Sequence, residues 1–342
     1  MRPAEIPMRR VGPVRLAGPE VEDEVMLPLA TFETPLWPSV ARGARVTREA
    51  GGIRAVVVDE RMTRSILLEA PDAVAAVEAG RAIEAQREEL AAVVAATGRF
   101  VRLLELRAQY AGPLLFLRVA VATGDAAGHN MATKAAQAVL DRIAETRPAL
   151  RPVSVSGNLC TDKKVSAVNG LLGRGRHVVA EARIPADLCR RRLRVAPGDL
   201  VGLHVRKNLV GSILAGSLRS ANAHVANMLL AFYLATGQDG ANVVEGSQAI
   251  THADVSDGDL AFSVTLPNLV LGTVGAGKDL PFVAENLEAL GCRAPRPPGA
   301  NARRLAVLAA AAVLCGELSL LAALANPGEL VRAHLRLERN AG

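Results

Sequence analysis

The sequence predicts a protein of mixed α and β structure with two domains, one of them inserted into the other. The chain has 342 residues, whereas a single domain usually has about 100 to 200. Its residues are 50% hydrophobic and 22% charged, which is typical of a globular protein and excludes a wholly disordered, collagen-like or coiled-coil chain. Residues 66–154 show the pattern strand, helix, strand, strand, helix between more polar segments. We expect this compact unit to be the inserted domain.

The elements of the first half follow from apolar patterning and from glycine and proline positions. Pro35 suits the first turn of a helix, and the pair Gly51-Gly52 suits its end. The polar pair Asp59-Glu60 separates two apolar runs and therefore predicts two strands. In order, the predicted elements are a helix from Pro35 to Glu49, strands at Ile53–Val58 and Ser65–Leu68, a helix from about 73 to 96, two strands within 99–122, and a helix from about 130 to 145.

The second half combines a polar loop with longer apolar segments. Gly237 is expected to end the first of two long apolar helices. In order, the predicted elements are a loop at 156–164, a strand at about 176–184, a helix from about 222 to 236, strands near 260–266 and 269–274, and a helix from about 301 to 325.

The charge balance points to an anionic small ligand and not to nucleic acid. Lys and Arg together number 40 and Asp and Glu 34, which leaves a net charge of +6. Aromatic residues are only 3% of the chain and the basic residues are dispersed, whereas a nucleic-acid surface needs a clustered basic face. Arginine matches the geometry of phosphate, so a phosphorylated cofactor is one interpretation. A solvated basic surface is the other.

The cysteines and the apolar runs predict a soluble, cytoplasmic protein. Four cysteines lie far apart without CxxC spacing, so we expect neither a disulfide framework nor a metal site. The most apolar run, Leu305 to Gly316, is shorter than the roughly 20 residues that span a bilayer. The N-terminus has no apolar signal core. We therefore expect no contact with a membrane.

The segment from Ser156 to Lys164, SGNLCTDKK, concentrates polar and charged residues between apolar elements. A buried charge there would require a partner. One interpretation is a lysine held by neighbouring charges so that it can neutralise a developing oxyanion. The alternative is an exposed turn with an ordinary ion pair.

Two further places carry polar groups in apolar surroundings. His224 and Asn227 are three residues apart and share one face of an apolar helix, where a hydrogen-bonded core pair is the simpler interpretation. Asp239 follows the end of that helix. Glu33 lies among small and apolar residues, where desolvation would raise its pKa and suit it to acid catalysis. An ordinary first-turn helix acid beside Pro35 is the alternative.

Two glycine turns could each approach a phosphate group. One is Gly124–Gly128, before a helix, and the other is Gly272–Gly277, after a strand. Neither has the GxGxxG spacing of a Rossmann fold. The residues alone thus indicate a two-domain enzyme with an anionic cofactor.

Several of these segments, in this order, resemble the hydroxymethylglutaryl-coenzyme A reductase family, most closely its class I branch. The resemblance runs from about Pro13 to His334, and its most specific stretch is GNLCTDKK. The motifs that carry it are GNLCTDKK (157–164), KNLVGS (207–212), NAHVAN (222–227), GQD (237–239), GTVGAG (272–277), GELSLLAALA (316–325) and LVRAH (330–334).

The resemblance implies an α+β fold in which a small α/β, ferredoxin-like domain is inserted into a large helix-rich substrate domain. Residues 1–65 and 155–326 would form the large domain, which binds coenzyme A and substrate. Residues 66–154 would form the small nicotinamide-binding domain. Residues 327–342 would be a mobile tail that carries His334.

The resemblance also implies a role for each residue that matches a family motif. The catalytic residues would be Glu33, Lys163, Asp239 and His334. The substrate-binding residues would be Arg64, Ser156, Asn158, Asp162, Lys164, Lys207 and Asn227, and the arginines that bind coenzyme A would be Arg42 and Arg45. The nicotinamide cofactor would be bound by Arg99, Gly124, Asp125, Ala126, Gly128, Asn130, Gly275 and Gly277. No metal ion is expected.

The implied function is NADPH-dependent reduction of 3-hydroxy-3-methylglutaryl-CoA to mevalonate and CoA in isoprenoid biosynthesis, with NADH as an alternative cofactor. The implied assembly is a homodimer, or a dimer of dimers, with shared active sites. Departures from the family pattern border the sites: Thr34-Pro35 after Glu33, and Ala127 and His129 in the cofactor turn. They leave two alternatives, a related reductase of another acyl-CoA or a catalytically weakened CoA-binding homologue.

Overall fold

The structure, a computed structural model, describes residues 4–332 and is a mixed α+β protein with antiparallel sheets. The described strands are β1 (Met8–Ala17), β2 (Glu22–Ala30), β3 (Arg54–Glu69), β4 (Arg102–Ala111), β5 (Leu114–Ala122), β6 (Arg151–Ser154), β7 (Gly175–Ile184), β8 (Ile250–Ser256) and β9 (Asp259–Leu269). The described helices are α1 (Leu36–Glu49), α2 (Ala73–Ala85), α3 (Arg87–Ala95), α4 (His129–Thr146), α5 (Ala167–Leu172), α6 (Ala186–Leu188), α7 (Pro197–His204), α8 (Ser212–Leu214), α9 (Val225–Ala235), α10 (Val243–Gly246), α11 (Pro281–Ala289) and α12 (Ala300–Ala325). Turns of π-helix follow α6 and α7, at Cys189–Leu193 and Val205–Gly211.

The strands form two sheets. β1 and β2 make a two-stranded antiparallel ribbon. The larger sheet has the order β4-β5-β3-β7-β9-β8, with β6 paired to β3, and its neighbouring strands are antiparallel. Its centre is therefore β3, which lies between the strands of the first half of the chain and those of the second.

Strand β3 corrects the prediction of two separate strands. Its first part, Arg54 to Arg61, pairs with β7, and its second part, Met62 to Glu69, pairs with β5. The charged pair Asp59-Glu60 lies inside the strand, next to a shift in register. These carboxylates are tolerated because each has a cationic partner. Asp59 Oδ2 lies 2.6 Å from Arg61 Nε, and Glu60 Oε1 lies 3.0 Å from Arg303 Nη1.

The two halves of this strand contribute to two different hydrophobic clusters. One consists of buried residues between Met62 and Leu150, with Val270 added from the second half. The other contains the β1–β2 ribbon, α1, α9 and α12. Gly43 of α1 allows close packing between helices, since a Cβ at this position would lie 2.1 Å from the Cys315 carbonyl oxygen of α12. The four cysteines are free and buried.

Helix α12 is the central helix of the second cluster. By length and composition it could cross a bilayer, with a mean hydropathy of 2.2, but 94% of its most apolar window is buried inside the protein. As predicted, it continues past Glu317 to Ala325. The Glu317 carboxylate is buried and accepts hydrogen bonds from the backbone N–H groups of Ala223 (2.8 Å) and His224 (2.6 Å).

Other predictions differ from the structure in the extent of the elements. The predicted helix at about 73–96 is two helices, which meet at Gln86. The predicted strand near 260–266 is part of β9, which pairs with β8, whereas the predicted strand at 269–274 is absent because β9 ends at Leu269. The chain leaves the sheet after Leu269 because Gly272 and Thr273 donate their N–H groups to Gln238 Oε1 (2.9 Å) and to the Asp125 carbonyl (2.8 Å).

Candidate active site

The loop from Ser156 to Lys164 has an unusual backbone. Asn158, Thr161 and Lys163 have positive φ angles of 63°, 38° and 55°. Non-glycine residues rarely adopt this conformation, and it persists when surrounding contacts determine it. The Gly157 N–H donates to the Ser65 carbonyl at 2.5 Å, which fixes the start of the loop to β3. The segment is therefore held by the sheet although several of its side chains are exposed.

Lys163 and Asp239 form the ion pair of this site. Their Nζ and Oδ2 atoms are 2.6 Å apart, and the side chains are 40% and 47% exposed. The hydrogen bond raises the pKa of Lys163 and lowers the pKa of Asp239. The pair thus keeps a protonated amine at the protein surface, where a substrate can reach it. Both interpretations of this segment, an oxyanion lysine and a surface ion pair, are compatible with this geometry.

Asp162 lies deeper, beside two nitrogen-containing side chains. Its Oδ1 lies 2.6 Å from Arg174 Nη2 and 3.5 Å from His129 Nε2. Burial alone would raise the pKa of Asp162, but the interactions with His129 and Arg174 outweigh this effect and hold the pKa well below its usual value. Asp162 therefore stays a carboxylate across the physiological range.

Other predicted substrate-binding residues surround this loop. Arg64 donates to Thr133 Oγ1 at 2.7 Å, and its Nη1 lies 3.5 Å from Ser156 Oγ. Lys164 Nζ donates to the Asp162 carbonyl at 3.1 Å. Asn158 is exposed on the loop itself, and Lys207 is exposed on the π-helical turn.

A second group of predicted residues lies around a cavity of about 350 Å³. Glu33, Arg42, His224, Asn227 and Glu329 line it. Asn227 Nδ2 lies 3.4 Å from His224 Nδ1, and His224 Nε2 lies 3.1 Å from the Gly316 carbonyl oxygen. His224 and Asn227 are therefore hydrogen-bonded as expected, but they are not a core pair: both are half-buried and face this cavity, and His224 precedes α9.

Glu33 differs from the sequence-based expectation. Its side chain is exposed within this chain, so the apolar surroundings expected from the sequence are not provided here. It precedes α1, and its carbonyl accepts the Leu36 N–H at 3.0 Å. Within residues 4–332, no hydrogen bond or ion pair joins Glu33 to Lys163 or Asp239. One chain therefore holds these predicted catalytic residues in two separate groups.

The two arginines predicted to bind coenzyme A lie on α1. Arg42 Nη1 forms a 2.5 Å ion pair with Glu329 Oε1, and Arg42 Nη2 donates to the Leu193 carbonyl at 2.7 Å. Arg45 is exposed one turn further along. The fourth predicted catalytic residue, His334, lies outside the described residues.

A third cavity, of about 240 Å³, is basic. Arg99, Phe100 and Arg102 line it together with Gly124 and Ala127. The Arg99 guanidinium lies over the Phe100 ring, 5.2 Å from its centroid. Such a cavity fits a phosphorylated ligand, because it combines arginine side chains with a glycine turn at the start of α4.

The two glycine turns, predicted independently, are adjacent in space. Ala126 and Val274 form a parallel bridge between them. Gly124, Gly128, Gly275 and Gly277 have positive φ angles that favour glycine. Asn130 is exposed in the first turn of α4.

The carboxylate of Asp125 has a structural partner. It accepts hydrogen bonds from the backbone N–H groups of Gly299 (2.9 Å) and Ala302 (3.0 Å) at the start of α12. In this structure Asp125 therefore caps α12, and only its backbone contributes to the glycine turn.

Sequence reasoning missed four buried side chains that hold these sites together. Arg174 and Glu245 contact the loop that carries Lys163, and Gln238 and Lys278 contact the segment that carries Asp239. Glu245 is six residues after Asp239 and Arg174 lies in a glycine-rich turn, but neither position carries a pattern that identifies it.

Comparison with known proteins identifies the family. The family model described as hydroxymethylglutaryl-coenzyme A reductase matches residues 3–339. The 3-hydroxy-3-methylglutaryl-coenzyme A reductase of Pyrococcus horikoshii is 43% identical over 98% of this chain and 81% of that protein. Reductase 2 of Dictyostelium discoideum is 44% identical over 96% of this chain and 64% of its own length. The Aspergillus terreus reductase is 44% identical over 96% of this chain, which spans 32% of that protein.

A solved structure has the same fold. The class II 3-hydroxy-3-methylglutaryl-CoA reductase of Streptococcus pneumoniae, bound to NADPH in open conformations, aligns with a TM-score of 0.75. The alignment covers 95% of this chain and 86% of that one at 19% identity, and it supports the fold alone. Given the matching family model and the relatives above 40% identity, this chain belongs to the hydroxymethylglutaryl-coenzyme A reductase family.

Proposed function

We propose that this protein reduces 3-hydroxy-3-methylglutaryl-CoA to mevalonate and CoA, with two hydrides from NADPH, in isoprenoid biosynthesis. The observation that carries the proposal is the Lys163–Asp239 ion pair, 2.6 Å long and accessible to substrate, on the loop with the family's most specific motif. The reductases of similar sequence named above support the same reaction.

Lys163 and Asp239 act on the carbonyl oxygen that becomes negative in each reduction. The cofactor supplies hydride when bound, and each hydride addition leaves an oxyanion. The Lys163 ammonium neutralises this oxyanion in a site that is already organised before the reaction. The amine is protonated at neutral pH, and Asp239 raises its pKa and so favours the charged form further.

Glu33 and His334 are the proposed proton donors. Glu33 protonates the reduced oxygen, and burial by a second copy of the chain gives its carboxyl the apolar surroundings that acid catalysis needs. His334 protonates the departing thiolate of coenzyme A, since histidine is the side chain whose pKa lies nearest neutrality. The tail at 327–342 carries this histidine to the site.

The remaining polar residues bind the substrate. Carboxylate and hydroxyl groups of the acyl part are bound by Arg64, Ser156, Asn158, Asp162, Lys164, Lys207 and Asn227. Arg42 and Arg45 bind the phosphates of coenzyme A from the exposed face of α1. Arginine suits this role because its donors match phosphate geometry.

We assign nicotinamide binding to residues 66–154, as a ferredoxin-like domain inserted between 1–65 and 155–326. Arg99 would hold the 2′-phosphate of NADPH in the basic cavity, which makes NADH the poorer alternative. The backbone of the two glycine turns would hold the pyrophosphate through Gly124, Asp125, Ala126, Gly128, Asn130, Gly275 and Gly277. The separate hydrophobic cluster within 62–150 supports this division.

We propose a cytoplasmic homodimer, or a dimer of dimers, with shared active sites. The separation of Glu33 from Lys163 within one chain supports this arrangement. Apolar side chains on α8 are also exposed, with Ile213 at 77% and Leu214 at 83%. A second copy that covers this surface would bring its Glu33 group to the Lys163 of the first.

The test is an assay of purified protein with hydroxymethylglutaryl-CoA and either NADPH or NADH, followed at the nicotinamide absorbance. We expect oxidation of NADPH that depends on hydroxymethylglutaryl-CoA, with mevalonate and CoA as products. Turnover of another acyl-CoA in place of this substrate would support a related reductase. Tight CoA binding without turnover would support a catalytically weakened homologue.

A further inference from the structure

The backbone of the catalytic loop is strained, and specific side chains compensate for this. Thr161 and Lys163 have positive φ angles, although both carry a Cβ. Such conformations cost of order 1–3 kcal/mol each and persist only when the surroundings impose them. The residues that impose this conformation therefore determine where the Lys163 amine points.

Glu245 is the residue that contacts the backbone of Lys163. It lies on α10, and its side chain is fully buried. Its Oε1 accepts the Lys163 N–H at 3.2 Å and the Asn242 Nδ2–H at 2.8 Å. The backbone N–H of Lys163, whose ammonium meets Asp239, thus donates directly to a buried carboxylate.

Arg174 makes a similar contact with Asp162, the residue before Lys163. It is fully buried and donates to the Thr63 carbonyl of β3 at 2.7 Å and to Asp162 Oδ1 at 2.6 Å. Its Nε lies 3.8 Å from Glu245 Oε1. A buried arginine and a buried glutamate thus hold the consecutive residues Asp162 and Lys163.

Stability alone is a poor explanation for this buried pair. Desolvation of two charges often costs as much as their attraction returns, and apolar replacements are commonly as stable. The pair is also incompletely bonded, since Arg174 Nε and Glu245 Oε2 have no hydrogen-bond partner within residues 4–332. Burial raises the pKa of Glu245, a further sign that the carboxylate is held at an energetic disadvantage.

We propose that Glu245 is a positioning residue for Lys163. Its carboxylate fixes the left-handed backbone of Lys163 through the main-chain N–H, and this conformation directs the ammonium to Asp239. Arg174 supports the same loop through Asp162. The inference rests on the proposed reductase function, in which Lys163 meets the reacting carbonyl, and it assigns Glu245 no contact with substrate.

The test compares Glu245→Ala with Glu245→Gln. Gln keeps an oxygen that can accept the Lys163 N–H, whereas Ala removes the acceptor. We expect Glu245→Ala to lower kcat about 10- to 100-fold, the scale of a misplaced catalytic group. KM for both substrates should change less than threefold, and Glu245→Gln should restore kcat to within about fivefold of the parent.

Asp72→Ala is the control for a general loss of stability. Asp72 caps α2 by accepting the Ala75 N–H at 2.8 Å, and none of the proposed site residues contacts it. This variant should melt at a lower temperature with parental kcat. Parental kcat in Glu245→Ala would overturn the proposal, as would equal losses in Glu245→Ala and Glu245→Gln.

Hydrogen exchange separates this inference from the proposed function. In Glu245→Ala the amides of 156–164 should exchange at least tenfold faster than in the parent, and Glu245→Gln should resemble the parent. If the parent protein does not turn over the substrate, the proposed function fails but this measurement still tests the contact. Unchanged exchange in Glu245→Ala would show that Glu245 does not hold the loop.

Discussion

At the scale of single residues, the Lys163 amine combines access to solvent with a fixed charge. The ion pair with Asp239 contributes little to stability, because exposed pairs are worth about 0–1 kcal/mol. In the proposed reaction, the pair holds the protonated amine in a fixed orientation before substrate arrives. Catalysis and stability should therefore respond differently to substitution at this position.

Lys163→Ala is predicted to lower kcat by about 10²-fold or more, the usual loss for one oxyanion donor. The melting temperature should stay close to that of the parent, since both partners are well exposed. Steady-state kinetics and calorimetry on the same preparation check the two halves of this prediction. Near-parental turnover would exclude Lys163 as the oxyanion donor.

Arg99 carries the prediction for cofactor choice. It lies over Phe100 in the basic cavity beside Gly124, where a 2′-phosphate would gain a charge-assisted hydrogen bond worth about 1.5–3 kcal/mol. Arg99→Ala should therefore raise KM for NADPH about 10- to 100-fold and leave KM for NADH almost unchanged. Arg107→Ala, which removes an ion pair with Glu105 outside this cavity, is the control. A parent enzyme that already prefers NADH would refute the assignment.

At the scale of elements, the end of α9 is joined to the second glycine turn. Lys278 is 5% exposed and donates to the carbonyls of Thr236 and Gly237, at the end of α9. Gln238 donates to the Gly272 carbonyl at 3.0 Å and accepts the Gly272 N–H. These contacts fix the segment that carries Asp239 to the proposed cofactor turn.

Burial lowers the pKa of Lys278 to about 8, from an ordinary value of 10.5. Between pH 8 and 10.5 the unfolded chain therefore binds more protons than the folded one, and this group makes stability rise with pH across that window. The melting temperature of the parent minus that of Lys278→Met should increase from pH 8 to pH 10. The exposed lysine variant Lys134→Met should show no such trend, and a flat difference for Lys278→Met would contradict the prediction.

A residue of the C-terminal segment forms an ion pair with one of the proposed CoA-binding arginines. Glu329 pairs with Arg42 at 2.5 Å, so CoA phosphates must compete with this carboxylate. Glu329→Gln should lower the Kd for CoA by up to about fivefold, the range of a partly exposed ion pair. Glu49→Gln removes an ion pair between Glu49, at the end of α1, and Arg192. This variant serves as the control in titration calorimetry. Weaker CoA binding in Glu329→Gln would mean that Glu329 supports the site.

Elements with local signals were predictable from the sequence, and those fixed by remote partners were not. Helices α1, α4 and α12 match their predictions within a residue or two. The helical spacing of their apolar residues and the residues that begin or end each helix all lie in the same short segment. Strand β3 was divided wrongly because the Arg303 that pairs with Glu60 is distant in sequence. Lys163 and Asp239 were found through family motifs, whereas Arg174 and Glu245 became apparent only from their burial.

At the scale of the whole molecule, the predicted catalytic residues within 4–332 form two groups that no described contact joins. Glu33 lines the cavity beside α1 and His224, while Lys163, on the loop after β6, pairs with Asp239, which follows α9. A symmetric dimer contains two copies of each group, so one active site would take Glu33 from one copy and Lys163 from the other. Two variants that are each inactive should therefore complement one another.

Glu33→Gln and Lys163→Ala test this arrangement when they are mixed and allowed to exchange subunits. Random exchange makes about half of the dimers mixed, and each mixed dimer has one intact site of two, so the activity should recover to about a quarter of the parent. The single variants, incubated alone under the same conditions, give the baseline. The control is the double variant Glu33→Gln/Lys163→Ala mixed with the parent. If the sites are shared, a mixed dimer with both changes in one chain is inactive at both of its sites. With shared sites, exchange leaves only the parent homodimers active, so the activity of this control should fall from about half to about a quarter of the parent. Activity that stays at about half, with no recovery in the mixture of single variants, would mean that each chain completes its own site.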